Sequence, residues 1–321
     1  MAQLTAFTNK RFLSIEDQIS LLKSQGLCFK STKEAKLILK THSYYSIVNC
    51  YCDLLVSGKS PRVFKKGATF DELMAIRDFD TCFRRFLLPQ LLYIEEKLNA
   101  AVINAYGSAK DQNGKPIHCQ DDYLCMDSYE TTNVVKRKAA TKLIIQLEKA
   151  IENSKARDPI EYALKKYNYV PLWMLATQMS FGQTSRFYEC NLPQIRNEVA
   201  DIYHMTESQL RTVLKTIGTI RNCCAHSNII YATKIPVNLP ATIGVGKKKV
   251  NVDPAAIRRF GSILYCLKFL LSGNKFAKII DELSDELSLL KKKLKTVPFQ
   301  KVLKTMGISR RMIGDFNIKI S

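Results

Sequence analysis

Residues 72–106 read ELMAIRDFDTCFRRFLLPQLLYIEEKLNAAVINAY, and this stretch decides the fold class. Large apolar side chains recur in it at steps of three and four residues: Phe79, Phe83, Phe86, Leu87, Leu91, Ile94 and Leu98. This spacing places them on one face of an α-helix, so the stretch predicts one long amphipathic helix. Pro89 lies inside the stretch and is expected to kink the helix.

Helix-start signals recur outward from this stretch. Four sites have the form of a capping box or a near variant: Ser14-x-x-Asp17, Ser31-x-x-Glu34, Thr69-x-x-Glu72 and Thr206-x-x-Gln209. Asp253-Pro254 pairs a capping residue with a proline at the first helical position. With the apolar spacing they predict helices over residues 15–24, 32–40, 44–57, 132–153, 172–190, 207–228, 256–272 and 276–293. Strand-like alternation is nearly absent, so we predict an all-α fold with at most a small hairpin within residues 232–252.

The chain divides by composition into three predicted parts. They are an N-terminal helical segment (1–60), a helical core (61–274) with a loop insertion (232–252), and a basic C-terminal helical extension (275–321). The insertion ends in Lys247-Lys248-Lys249, and it could be a lid, an RNA-contacting hairpin or a plain surface connection. The last part carries nine Lys or Arg and one acid between Lys291 and Ser321.

The net charge is the unusual feature of the composition. Among 321 residues, 49 Lys and Arg stand against 29 Asp and Glu, which gives +20. Such a field favours polyanions, although a basic surface without a partner is the alternative. No apolar run is long enough to span a membrane, and residues 1–11 lack the apolar core of a signal peptide. The scattered cysteines suggest reduced thiols, so we expect a cytoplasmic protein with no membrane partner.

Few residues could hold a metal or a cofactor. The four histidines, His42, His118, His204 and His226, do not pair at zinc-ligand spacing. Cys50-x-Cys52 and His118-Cys119 with Cys125 fit no standard zinc pattern either. The sequence also lacks a Gly-x-Ser-x-Gly elbow and a dinucleotide-binding glycine pattern. We therefore expect no metal and no cofactor.

The remaining candidate for chemistry is Arg221-Asn222-Cys223-Cys224-Ala225-His226. Asn222 and His226 lie one helical turn apart on one face, and the long Arg221 side chain can reach the same groove. Histidine can move a proton near neutral pH, arginine can hold a phosphate, and asparagine can orient either group. The alternative is a helix end at which His226 and Asn228 only cap.

Several segments in order resemble the Abi-like (abortive infection) family of the HEPN superfamily. They are Ala35-x6-His42-Ser43-Tyr44-Tyr45, Phe64-Lys65-Lys66-Gly67-Ala68-Thr69-Phe70, Phe79-Asp80-x3-Arg84, Ile94-Glu95, Pro171-Leu172-Trp173, Ser180-Phe181-Gly182-x2-Ser185-x2-Tyr188 and Ile220-Arg221-Asn222-x2-Ala225-His226. The resemblance covers about residues 14–230. One departure is Thr177-Gln178, where the family usually has Glu. Trp173, Tyr44 and Tyr45 are expected in the core.

The resemblance implies a HEPN-like helical bundle and a metal-independent endoribonuclease of a toxin-like phage-defence system. Arg221, Asn222 and His226 would be its catalytic residues, and a homodimer would bring two motifs together. The expected partner is a structured small non-coding RNA. Its expected contacts are Lys247, Lys248, Lys249, Lys291, Lys292, Lys293, Lys295, Arg310 and Arg311. The alternative is a non-catalytic RNA-binding protein that assembles with such an RNA.

Overall fold

The structure is a computed structural model that describes residues 12–110, 115–116, 122–154, 156 and 158–321. Helical residues make up 68% of this described part, which confirms the all-α prediction. The α-helices are α1 (Ile15–Ser24), α2 (Thr32–Thr41), α3 (Phe70–Ser108), α4 (Val134–Ser154), α5 (Asp158–Tyr167), α6 (Leu172–Leu175), α7 (Phe181–Cys190), α8 (Pro193–Ile202), α9 (Glu207–Ala225), α10 (Gly261–Leu270), α11 (Gly273–Lys293), α12 (Phe299–Met306) and α13 (Arg310–Asp315). The strands are β1 (Val56–Lys59), β2 (Arg62–Phe64), β3 (Thr242–Ile243) and β4 (Val250–Asn251).

Side-chain caps set the start of several helices, as predicted. The capping residues directly before α1, α2, α3 and α9 are Ser14, Ser31, Thr69 and Thr206. At α3 the Thr69 hydroxyl accepts from the Glu72 N–H, and the Glu72 carboxylate accepts from the Thr69 N–H. These bonds satisfy N–H groups that have no partner inside the helix. Asp253 caps only the short 3₁₀ turn Pro254–Ala256, so α10 begins at Gly261 and not at residue 256.

The predicted helix over residues 44–57 is wrong. A π-helical turn (Tyr45–Asn49) and a 3₁₀ turn (Cys52–Leu54) come first, and β1 follows. Strands β1 and β2 then form an antiparallel hairpin that the sequence analysis did not foresee. Gly58 and Pro61 are the local reason, because both residues favour a turn over a continuing helix.

The hairpin predicted within residues 232–252 is confirmed. Strands β3 and β4 pair antiparallel, with Thr242 opposite Asn251. The turn depends on Gly244, whose φ is +89°. A Cβ there would lie 2.6 Å from the Phe269 ring, so only glycine fits.

The predicted helix over residues 172–190 is interrupted. Helix α6 is followed by a 3₁₀ turn (Ala176–Gln178), and α7 starts afresh after Ser180. Ser180 and Gln183 form a complete capping box at this start. A serine that bonds to the backbone N–H two to three residues on favours a new helix start over continuation.

The chain folds into two units that share α3 and α11. The first unit comprises residues up to Phe83, Glu282–Thr305 and Ile318–Ser321. In it, the Glu72 carboxylate accepts hydrogen bonds of 2.6 Å from the backbone N–H groups of Lys295 and Thr296. This buried carboxylate therefore holds the chain that follows α11.

The second unit comprises Arg84–Asp281 and Met306–Asn317. Its core includes the apolar faces of α3 and α9: Leu87, Leu91, Ile94 and Leu98 with Leu210, Val213, Leu214, Ile217 and Ile220. The apolar face predicted for α3 is confirmed, although Phe86 is only half-buried. The boundaries proposed near residues 60 and 274 stay a prediction, because compact units need not be parts that fold independently. Among the described helices, none has the length and apolarity needed to cross a membrane.

Candidate active site at the end of helix α9

Helix α9 ends at the motif that the sequence singled out. The His226 N–H donates to the Asn222 carbonyl at 3.0 Å, and Ser227 then takes a left-handed conformation with φ +56°. His226 therefore caps the helix with its backbone, as the alternative interpretation held. Its imidazole is exposed and makes no hydrogen bond to any residue that the structure describes. The ring thus stays open to a ligand.

Arg221 is oriented by a carboxylate from another helix. Its Nε donates to Oε2 of Glu95 on α3 at 3.2 Å, and the two side chains are 24% and 16% exposed. Within the described residues the Nη1 and Nη2 groups of Arg221 make no such bond. A guanidinium held in this way presents its two terminal nitrogens as donors for an anion. The sequence indicates Glu95 only through the family resemblance, and no local pattern predicts its contact with Arg221.

Arg84 holds the turn that follows His226. Its Nη1 donates to the carbonyls of Ser227 at 3.2 Å and Asn228 at 2.8 Å. Arg84 is buried, whereas Ser227 and Asn228 are exposed, so these bonds are partly buried. Arg84 and Glu95 lie about three helical turns apart and so project from the same side of α3. One stripe of α3 therefore fixes both ends of the motif.

The α6–α7 segment is fastened beside the same stripe. Asn99 of α3 donates to the Ala176 carbonyl at 2.7 Å. The Phe181 ring packs closely on α9, since a Cβ at Gly218 would lie only 3.2 Å from it. Thr177, which stands where Glu was expected, donates to the Met174 carbonyl at 2.8 Å and so closes its own turn.

Two basic residues of α9 lie on the same face of the helix as Asn222 and His226. Arg211, Lys215, Asn222 and His226 project within about 60° of one another around the helix axis. Arg211 and Lys215 line a cavity of about 230 Å³ together with Arg186 of α7. Lys215 pairs with Glu189 at 3.1 Å, whereas Arg186 and Arg211 have no carboxylate partner among the described residues. Cations and carboxylates thus line the cavity together, since Glu130, Glu189 and Glu207 belong to the same lining.

Glu130 and Cys190, which line this cavity, have shifted pKa values. Burial favours the neutral form of Glu130, but hydrogen bonds from Lys136 and Arg196 outweigh it and hold the pKa of Glu130 below its ordinary value. Arg196 joins Glu130 at 2.8 Å and also pairs with Glu207. Burial raises the pKa of Cys190 to about 11, so this thiol is protonated and unreactive near neutral pH.

The predicted RNA-binding hairpin lies far from the motif. Lys247, Lys248 and Lys249 are exposed in the connection between β3 and β4. Gln209 near the start of α9 holds this hairpin, because it donates to the Thr242 carbonyl at 3.1 Å and accepts from the Gly244 N–H at 3.2 Å. Gln209 and His226 are about 25 Å apart along the helix. The anchored end of this hairpin therefore lies at the opposite end of α9 from His226, and the interpretation of the loop as a lid stays a prediction.

The other predicted RNA-binding residues are exposed. Lys291, Lys292, Lys293 and Lys295 belong to the first unit, and the last three line a cavity of about 480 Å³. Arg310 and Arg311 belong to the second unit, where Arg311 pairs with Asp315 at 3.2 Å. Binding of RNA by all these residues stays a prediction.

The aromatic residues expected in the core are partly exposed. Trp173 is 66% exposed and Tyr45 69% exposed, so both predictions were wrong. Helix α6 has a single turn that buries Leu172 and Leu175, and Trp173 projects away from that side. Tyr44 is half-buried, and its hydroxyl accepts from Arg62 at 3.2 Å.

No group of three or more His, Cys, Asp or Glu side chains in the described part of the chain could hold a metal ion. Of the residues considered for such a site, His118 and Cys119 lie outside the described residues.

The fold and the site define an all-helical protein whose Arg-x4-His motif ends a core helix. A family model described as Abi-like protein matches residues 37–232. The chain belongs to this Abi-like family, and the HEPN superfamily assignment is consistent with that membership. Comparison with curated proteins and with solved structures found no match.

Proposed function

We propose that this Abi-like protein is a metal-independent endoribonuclease of an abortive-infection, toxin-like phage-defence system. The family supports the abortive-infection type of function. One observation carries the nuclease proposal: Glu95 fixes Arg221 through Nε, at the helix end where the His226 imidazole is exposed. This observation supports the proposal because arginine can bind a phosphate and histidine can transfer a proton.

The proposed reaction is attack of an RNA 2′-oxygen on the adjacent phosphorus. The 2′-OH loses its proton to a base, the P–O5′ bond breaks, and the leaving oxygen gains a proton. The products are a 2′,3′-cyclic phosphate and a 5′-OH. His226 transfers a proton, Arg221 holds the phosphate and offsets its developing charge, and Asn222 orients the imidazole or the phosphate.

This reaction needs both a base and an acid, whereas one motif supplies one histidine. We propose a two-fold homodimer in which two copies of His226 serve one groove. A structured small RNA would bind the basic protein, as the +20 charge favours. Light scattering with and without RNA tests this assembly, and a monomer fully active in both conditions contradicts the composite site.

The test of the chemistry is cleavage of labelled RNA in the presence of EDTA. We expect cleavage by wild type and no cleavage by His226→Ala, Arg221→Ala or Arg221→Lys, because an ammonium cannot grip phosphate at two points. His204→Asn is the matched control, since it removes an exposed imidazole elsewhere and Asn tolerates the left-handed φ of +54° at that position. DNA and 2′-deoxy substrates should remain intact. Dependence on a metal, or unchanged cleavage by His226→Ala, contradicts the proposal.

A second candidate is a non-catalytic RNA-binding protein built on the same scaffold. The observation in its favour is Thr177, which occupies the place of an expected carboxylate, donates to the Met174 carbonyl and accepts from the Gln178 amide. Tight RNA binding by a wild-type protein that cuts no RNA supports this candidate over the nuclease.

A further inference from the structure

Residues 162–173 present aromatic rings to solvent. Tyr162, Tyr167 and Trp173 are 50%, 42% and 66% exposed. The Tyr167 ring is 6.1 Å from that of Tyr162 and 6.0 Å from that of Tyr169 between centroids. We call Tyr162, Tyr167, Tyr169 and Trp173 the aromatic patch. Large rings grouped at a surface mark a binding site more often than single exposed ones do.

The backbone that carries the patch is firmly held. Helices α5 and α6 contact each other, so the tyrosines and Trp173 belong to adjacent elements. Between them, Val170 and Leu172 are buried, and the Val170 carbonyl accepts from the Tyr123 hydroxyl at 2.6 Å. Rings on a fixed backbone lose little conformational entropy when a ligand stacks on them.

Lys166 lies within the patch. The Lys166 ammonium sits 5.1 Å from the Tyr162 ring centroid and 5.4 Å from that of Tyr167, and it donates to the Tyr162 hydroxyl at 2.6 Å. Lys166 pairs with no carboxylate of the described residues, whereas its neighbour Lys165 pairs with Glu161. Exposed rings with an available cation suit a ligand that has flat bases and phosphates, and they suit a purely apolar partner less well.

The patch and the Arg-x4-His motif share an attachment on α3. Asn99 holds the Ala176 carbonyl, three residues after Trp173, and Glu95 holds Arg221. Asn99 and Glu95 lie one helical turn apart, about 6 Å along the axis. A strand bound at the motif would therefore pass near the turn that carries Trp173.

We propose that the aromatic patch binds unpaired nucleobases of RNA by stacking, beside the Arg-x4-His motif. This inference rests on the proposed RNA-directed function. In it the Arg-x4-His motif binds the phosphates of the RNA, and the aromatic patch additionally requires its bases. The substrate or partner RNA is accordingly expected to be single-stranded where it meets the patch, for example in a loop.

Trp173 is the only tryptophan, so protein fluorescence reports directly on the patch. The His226→Ala protein, which should not cut RNA, is titrated with short oligoadenylate and with an abasic chain of equal length. We expect oligoadenylate to quench the emission and the abasic chain to leave it unchanged. In anisotropy measurements with labelled oligoadenylate, Trp173→Ala should bind about tenfold more weakly, and Trp173→Phe should retain most of the affinity.

Tyr45→Ala is the matched control, because it removes an aromatic ring of similar exposure (69%) outside the patch. Binding without quenching, or equal binding by wild type and Trp173→Ala, overturns the proposal. A change of molecular mass in Trp173→Ala without a change in RNA binding identifies a surface between copies instead and also overturns it. Quenching without any cleavage by wild type contradicts only the proposed nuclease, and cleavage without quenching contradicts only the patch.

Discussion

Replacing Glu95 by glutamine tests whether α3 positions the proposed catalytic arginine. Glu95→Gln keeps the shape of the side chain but removes the charge that orients Arg221 at 3.2 Å. With side chains 24% and 16% exposed, the pair lies between a surface ion pair (about 0–1 kcal/mol) and a shielded charged hydrogen bond (about 1.5–3 kcal/mol). We therefore expect the free energy of unfolding to fall by about 1 kcal/mol. Cleavage should fall further, by about 10- to 100-fold, because displacement of a phosphate-binding group by ~1 Å is costly.

The assays are urea unfolding and single-turnover cleavage of labelled RNA. Glu96→Gln is the matched control, since Glu96 is the exposed neighbour and has no ion pair to any residue that the structure describes. In an Arg221→Ala background, Glu95→Gln should cause no further loss of cleavage, because there is no guanidinium left to position. Wild-type cleavage by Glu95→Gln, or an equal loss in the Arg221→Ala background, refutes the positioning role.

The remaining predictions concern the turn after the motif, acid stability and salt. Arg84→Gln should lower the free energy of unfolding by about 1–3 kcal/mol, because two carbonyls lose a buried donor; Arg85→Gln is the exposed control. The pKa of Glu130 is lowered, so its stabilisation is present above its ordinary pKa and is lost as pH falls through the lowered one. Urea unfolding should therefore show a smaller loss of stability on acidification in Glu130→Gln than in wild type, and equal losses contradict this. Reversing the charges of Lys291, Lys292 and Lys293 should flatten the salt dependence of RNA binding by up to about one unit of log–log slope per contact, and an unchanged slope excludes these contacts.

The long helix α3 could be predicted from sequence because its signal is repeated. Seven apolar residues at helical spacing and a capping box at Thr69 agree, and the observed helix begins at Phe70. Shorter elements contain fewer apolar repeats. A single capping or turn-forming residue can therefore determine where such an element begins, ends or changes type. At Ser180 the serine cap breaks a run that otherwise looks continuous, and at Gly58 and Pro61 a hairpin replaces a helix.

The candidate site was predictable only in its local part. Asn222 and His226 share a helical face, which spacing alone indicates. The Glu95–Arg221 pair joins residues 126 positions apart, and no local pattern specifies such a contact. Trp173 was expected in the core but is exposed, because burial depends on which side of a one-turn helix faces inward.

Thr177 stands where a carboxylate was expected, and the contacts of α3 bear on what that carboxylate would do. A carboxylate on the Trp173 turn could act by orienting a cation of the motif, and in this chain Glu95 of α3 already pairs with Arg221. The Trp173 turn is instead held by uncharged bonds, from Asn99 to the Ala176 carbonyl and from Thr177 to the Met174 carbonyl. A negative charge on that turn would repel a phosphate bound beside the patch, whereas threonine carries no charge. Thr177 therefore adds no negative charge to the turn that we propose binds RNA, and Glu95 is the carboxylate that pairs with Arg221.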